Sequence, residues 1–155
     1  IEIIGWATLG FGILLGLSDK IGLAVNDLRH MGTGDAILIG ISQALALIPG
    51  ASRAGLTITM ARFLGYDRKA AARFSLLLAI PAILGASTLK GIELLGTKDL
   101  ILGVDALIAA SVSFLAALAS ISIMMAWLDK VGFMPFVIYR IILGTALLIW
   151  VYAML

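Results

Sequence analysis

The chain has 155 residues, 62% of them hydrophobic and 13% charged, with a formal net charge of +2 and a mean hydropathy of +1.14. Soluble domains carry roughly 25% charged residues, so this composition describes an integral membrane protein, and an excess of 11 Lys and Arg over 9 Asp and Glu is too small to argue for nucleic acid. The absence of cysteine excludes disulfides and thiolate metal sites, and a single histidine, His30, excludes a histidine-rich metal site within one chain.

The chain opens at Ile1 without a charged segment and small-residue cleavage site, so no signal peptide is read, and a piece of a longer protein is expected. Ile1 to Leu17 is apolar except for Glu2 and reads as a first transmembrane helix, in which Gly12 and Gly16 let another helix approach closely. Residues 18–33 carry Asp19, Lys20, Asp27, Arg29 and His30, a polar density that places them at the membrane interface, with His30 a solvated loop residue.

From Gly34 to Leu64 two short apolar arms meet at Pro49-Gly50-Ala51-Ser52-Arg53. Each arm reaches roughly 20 Å, short of a hydrocarbon core of about 30 Å. Pro49 removes an N–H and biases Ile48 away from helical dihedrals, while Gly50 accepts angles closed to other residues. The pattern predicts a re-entrant helical hairpin whose tip lines a polar cavity, because lipid cannot satisfy irregular backbone. Ser52 is placed to cap the second arm, where free N–H groups, the helix dipole and Arg53 make a site for a phosphate or carboxylate.

Asp67 is expected to cap a helix beginning at Arg68. Phe74 to Leu95 is a second span kinked at Pro81, and Ala106 to Leu128 a third, whose serines bond within the helix or to a neighbour. After a turn at 129–132, Phe133 to Leu155 is a fourth span interrupted by Arg140, with Trp150 and Tyr152 suited to the far interface. Arg140 is read as a helix-holding residue, paired with an acid or a broken-helix carbonyl, outside the site. The fold class expected is therefore all-α and polytopic, with four transmembrane helices and one re-entrant hairpin in a single membrane domain, residues 1–155.

If the hairpin enters and leaves on one side, the loops at 18–33, 65–73 and 129–132 share a face bearing most of the cations. The opposite loop, near 96–105, holds Lys98. The positive-inside rule then puts the shared face in the cytoplasm, with the tip opening outward.

The stretch from Gln43 through Pro49-Gly50-Ala51-Ser52-Arg53-Ala54-Gly55-Leu56-Thr57 resembles the second signature of the bacterial undecaprenyl diphosphate phosphatases. Asp67 to Ala71, Phe74 to Ala82 and Phe136 to Gly144 extend the resemblance over nearly the whole chain. It implies one half of a fold of two inverted repeats, here the C-terminal one, in a multi-pass enzyme of the bacterial cytoplasmic membrane. That enzyme removes the terminal phosphate of a C55 lipid diphosphate, a step in lipid carrier recycling for cell-wall synthesis. By position, Ser52 binds phosphate or acts as nucleophile, Arg53 holds the diphosphate, Thr57 donates to phosphate, and Gln43 orients a polar group, with Gly50, Ala51 and Gly55 forming the rest of the substrate site. Two departures stand out. The family's first signature, with two glutamates implicated in catalysis and in Mg²⁺ or Ca²⁺ binding, is absent, so a second repeat or chain is the implied partner; and Ala54 replaces a common serine. From the residues alone Ser52 also reads as an ordinary cap, Arg53 as a partner of an acid, Thr57 as a back-bonding threonine and Gln43 as interhelical glue. The competing reading of a broken-helix anion site is half of a transporter or lipid flippase, and a third is a purely structural membrane subunit.

Overall fold

A computed structural model describes residues 1–97 and 100–153, excluding the side chains of 94–103 and 129. Six α-helices run in order: α1 (Glu2–Ile21), α2 (Thr33–Ser42), α3 (Arg53–Phe63), α4 (Arg68–Thr97), α5 (Leu100–Val131) and α6 (Met134–Ala153). Four of these, α1, α4, α5 and α6, contain stretches long and apolar enough to cross a membrane, and the chain is a multi-pass membrane protein. Lys98, expected in a far-side loop, lies outside the described residues, as do Met154 and Leu155 at the end of the expected fourth span. α4 reaches Thr97 and α5 begins at Leu100, so helix extends into both ends of the loop expected at 96–105.

α1 and α6 pack antiparallel through their small residues. A Cβ added to Gly5 would fall 2.9 Å from Leu148, to Gly12 2.9 Å from Arg140 Cβ, to Gly16 3.0 Å from Val137, and to Gly144 2.9 Å from Leu9. The glycine pair read from sequence thus faces α6, and steps of three and four residues keep one face of each helix in register. Where the start of α1 meets the end of α6, Tyr152 OH donates to Glu2 Oε1 at 2.6 Å.

The two arms meet tip to tip and base to base. α2 passes into a 3-10 turn at Gln43–Leu47, so the first arm is a shorter α-helix than Gly34 to Ile48 allowed. Ile48 is extended (φ −71°, ψ 120°) as its proline neighbour requires, and Gly50 has φ +92°. At the base, Val25 and Asn26 N–H groups donate to Gly65 O at 3.1 and 3.0 Å, and Asp67 N–H returns to Asn26 O at 3.0 Å. Tyr66 is fully buried and donates to Asp35 Oδ2 at 2.6 Å; burial, helped by the hydrogen bond to that carboxylate, pushes its pKa up to about 12.

α3 is enclosed: Leu56, Thr57, Ile58, Thr59, Ala61 and Arg62 are all buried. Helix periodicity cannot bury six such positions against one neighbour, and α3 accordingly packs against α1, α2 and α4. Its threonines bond back to the helix, Thr59 Oγ1 to Gly55 O at 2.6 Å. The core around Leu15, Ile39, Ile58, Tyr66, Leu128 and Phe133 gathers at this end of the molecule.

The polar run expected at the interface begins inside the last turn of α1. Asp19 is buried because Arg68 Nε and Nη2 meet its two oxygens at 2.7 and 3.0 Å, and Arg62 Nε lies 3.6 Å away. Arg62 also donates to the carbonyls of Tyr66, Asp19 and Gly22, and Phe133 N–H reaches Asp19 Oδ2 at 3.4 Å. These bonds bring the segments around 19, 65–68 and 133 together at one end of the helices. His30 is exposed, within a 3-10 turn at Leu28–His30. Asp67 caps α4 through Ala70 N–H at 2.7 Å, and α4 continues through Pro81. Ser111 and Ser122 bond to their own helix. The turn expected at 129–132 narrows to Gly132 and Phe133, because Gly132, at φ +65°, is the first residue that ends α5.

Candidate anion site at the Pro49–Arg53 turn

The tip of the hairpin rests on α1 near Ile4 and Thr8: a Cβ at Gly50 would fall 2.7 Å from Ile4 O and 2.9 Å from Thr8 Oγ1. Thr8 lies eleven residues before Asp19, so the tip sits roughly 16 Å along α1 from the hairpin's base. Only glycine fits that approach.

Ser52 is the N-cap of α3, its Oγ accepting from Gly55 N–H at 3.2 Å. Its backbone was not foreseen: φ is +63° with ψ 108°, making Ser52 the one non-glycine residue of positive φ among the described residues. Such a conformation costs on the order of 1–3 kcal/mol and persists only where surrounding contacts over-determine it. Those contacts come from α6. Arg140 Nη2 donates to Gly50 O at 2.8 Å and to Ala51 O at 3.0 Å, and its Nε to Thr8 O at 3.3 Å. Thr8 Oγ1 adds a bond to Gly50 O at 3.3 Å.

A cavity of about 420 Å³ opens in front of this turn, with Thr8, Gly50, Ser52, Gly55 and Arg140 among its walls. The rest is apolar or aromatic, from Leu15 and Ile58 to Met124, Phe133, Phe136, Tyr139 and Leu143. An exposed hydroxyl, a helix N-terminus and a guanidinium at the end of an apolar cavity suit an anionic head group with an apolar body.

The other expected site residues fall in different places. Ala51 is fully buried and contributes its carbonyl to Arg140. Arg53 is partly exposed at the start of α3, and its guanidinium has no hydrogen-bond or ion-pair partner among the described residues. Ala54 borders the cavity, so the missing serine hydroxyl leaves that wall apolar. Thr57 faces away from the cavity: it is 1% exposed, bonded to Arg53 O and Ala54 O and at 2.7 Å to Ser75 Oγ of α4. Its back-bonding reading describes that geometry better than a phosphate contact. Gln43 is half-buried where α2 becomes the 3-10 turn and does not border the cavity. Arg140, read as lying outside the site, forms part of its wall, and two of its three partners are carbonyls of the broken tip, the third being Thr8 O of α1. An arginine in the middle of an apolar span was the available signal; nothing in the sequence marked Thr8.

The donor set does not fit a divalent cation. Among the described residues no group of three or more His, Asp or Glu side chains converges. The cavity wall carries a guanidinium and hydroxyls and no carboxylate, while Asp19 and Asp35 are engaged by Arg68 and Tyr66.

Residues 1–146 match the family described as bacitracin resistance protein BacA. The chain is similar to undecaprenyl-diphosphatase 1 of Rhodospirillum rubrum, 53% identical over 96% of this chain and 53% of that protein. It is also similar to the undecaprenyl-diphosphatases of a Jannaschia species and of Hahella chejuensis, each 47% identical, over 99% and 97% of this chain and 57% and 56% of those proteins. The chain spans about half the length of the curated relatives it matches. A match over residues 1–146 places it in a family: the chain belongs to the bacitracin resistance protein BacA family.

Proposed function

We propose that this chain forms part of an undecaprenyl diphosphate phosphatase of the bacterial cytoplasmic membrane, hydrolysing the lipid diphosphate to undecaprenyl phosphate and phosphate. The observation that carries this reading is the strained Ser52 cap, beside Arg53 and backed by Arg140, at the end of an apolar cavity. The names of the relatives supply the substrate.

In this reading the cavity receives the first part of the polyprenyl chain and the turn receives the diphosphate. Ser52 Oγ already accepts from Gly55 N–H, which leaves its proton free to donate to a phosphate oxygen. Arg53 offers a planar fork that matches two oxygens at once. Hydrolysis adds the oxygen of water to the terminal phosphorus as its bond to the bridging oxygen breaks, so undecaprenyl phosphate leaves, inorganic phosphate forms and the water's proton passes to solvent. The negative charge that develops is met by donors already in place, the arrangement that contributes most when no reorganisation is needed.

The hairpin is re-entrant in this proposal, its tip within the bilayer and open to the outer face. The chain acts as one of two inverted repeats, and the carboxylates, with any Mg²⁺ or Ca²⁺ they hold, come from a second repeat or chain. The test is phosphate release from undecaprenyl diphosphate by the full-length protein reconstituted in vesicles. Movement of lipid or solute without release of phosphate would assign the turn to a transporter instead.

A further inference from the structure

Arg140 is 8% exposed and sits in the middle of α6, a helix with 20 residues and one charge. Among the described residues no carboxylate pairs with it. Its hydrogen bonds go to three main-chain carbonyls, Thr8, Gly50 and Ala51. Carbonyl dipoles satisfy the N–H groups but leave the unit charge in place. The remaining terminal nitrogen, Nη1, lies at the cavity side of α3, 3.0 Å from where a Cβ on Gly55 would stand, and a glycine there is what makes room for it.

Holding two helices together requires donors but no charge, and an uncompensated buried charge is costly. The buried charge therefore implies more than packing. By taking up the carbonyls of Gly50 and Ala51, Arg140 holds the backbone that leads into Ser52, the residue at φ +63°. Its Nη1 and Ser52 Oγ stand 3.0 and 3.2 Å from one point, the place a Cβ on Gly55 would take, so the charge lies close to the hydroxyl.

We propose that Arg140 is a positioning residue for the anion site, fixing the Pro49–Arg53 turn through three carbonyls and placing an unpaired positive charge close to Ser52. This rests on the phosphatase reading only for its kinetic consequence; the electrostatic consequence is a property of the turn itself. A thiol put in place of Ser52 Oγ would ionise below its ordinary value of about 8.5.

The experiment uses the full-length protein in detergent. In a Ser52→Cys background the rate of alkylation by a small haloacetamide is followed against pH, with and without Arg140→Gln, which keeps donors but removes the charge. Arg140→Lys and Arg140→Gln are then made with Ser52 intact, and hydrolysis is measured beside the melting temperature. The expected results are an alkylation midpoint that rises by one pH unit or more in Arg140→Gln, and kcat down at least thirtyfold in both variants with KM changed less than threefold. Lysine fails because one ammonium cannot hold three carbonyls in a plane. If the midpoint is the same with and without Arg140, or if activity falls only in step with melting temperature in the lysine variant too, Arg140 is a packing residue and the proposal is overturned. A shifted midpoint in a full-length protein that releases no phosphate would leave the positioning role standing and remove the phosphatase reading.

Discussion

Arg68 meets Asp19 with two parallel hydrogen bonds, Nε to Oδ1 at 2.7 Å and Nη2 to Oδ2 at 3.0 Å, across 49 positions of sequence. The same carboxylate faces the buried Arg62, so one acid serves two cations and also receives Phe133 N–H. Asp19 is thereby the point at which α1, the end of α3, the start of α4 and the start of α6 are joined.

Removing that carboxylate leaves Arg62, with 3% of its side chain exposed, as an unpaired buried charge. Asp19→Ala is expected to cost about 3–5 kcal/mol, the range for breaking a buried pair from one side. Arg68 is 41% exposed at its side chain, so water replaces part of what it loses, and Arg68→Ala is expected to cost no more than about 1 kcal/mol. Unfolding in mixed detergent measures both. Equal effects from the two substitutions would show that Arg62, not Asp19, is misassigned as the dependent partner.

Glycines in α1 and α6 divide into two kinds. Gly10 has nothing within 4 Å of where its Cβ would stand, whereas at Gly144 that atom would fall 2.9 Å from both Leu9 Cβ and Leu9 N. Gly10→Ala should therefore stabilise by about 0.5–1 kcal/mol through helix propensity. Gly144→Ala should destabilise by about 1–3 kcal/mol, because the clash is with backbone that cannot turn aside. Melting temperatures moving in opposite directions would confirm the α1–α6 contact; two increases would deny it.

Ser52 separates stability from function. Glycine accepts φ +63° without strain and loses only a few tenths of a kcal/mol as a cap, so Ser52→Gly should melt at or above the parent temperature while hydrolysis falls at least a hundredfold. Ser52→Ala keeps the strain and loses the cap, and should be less stable by about 1 kcal/mol. An active Ser52→Gly enzyme would remove the hydroxyl from the chemistry.

Much of this architecture was legible because it rests on local rules. Pro49 and Gly50 dictated the break, Asp67 and Ser52 the caps, and Gly12 and Gly16 the close helix pair, each within a few residues of its cause. What escaped was non-local. The positive φ of Ser52 is imposed by carbonyl bonds from Arg140, and the burial of Asp19 by an arginine 49 positions away. The partner of Thr57 was equally out of sight: its hydroxyl is taken up by Arg53 O and Ala54 O within the helix and by Ser75 Oγ, 18 positions away.

Arg53 offers the sharpest test, because the turn carries two arginines with opposite bonding. Arg140 is tied to three carbonyls, while the Arg53 guanidinium is partly exposed and, among the described residues, bonded to nothing. A side chain that holds nothing in the folded chain can be removed without loss of stability, so Arg53→Ala should leave the melting temperature within about 2 °C of the parent, a shift equivalent to less than about 1 kcal/mol for a chain of this size. Hydrolysis should nevertheless fall at least a hundredfold, about 3 kcal/mol of transition-state stabilisation, as when one preorganised donor is lost from a developing oxyanion. Arg53→Lys should recover little, since an ammonium keeps the charge but not the planar fork that spans two phosphate oxygens. Measuring kcat, KM and detergent melting together in the full-length protein decides it. An Arg53→Ala variant that turns over at the parent rate would exclude Arg53 from the site, and one that loses stability in step with activity would show that its guanidinium is held by a structural partner after all.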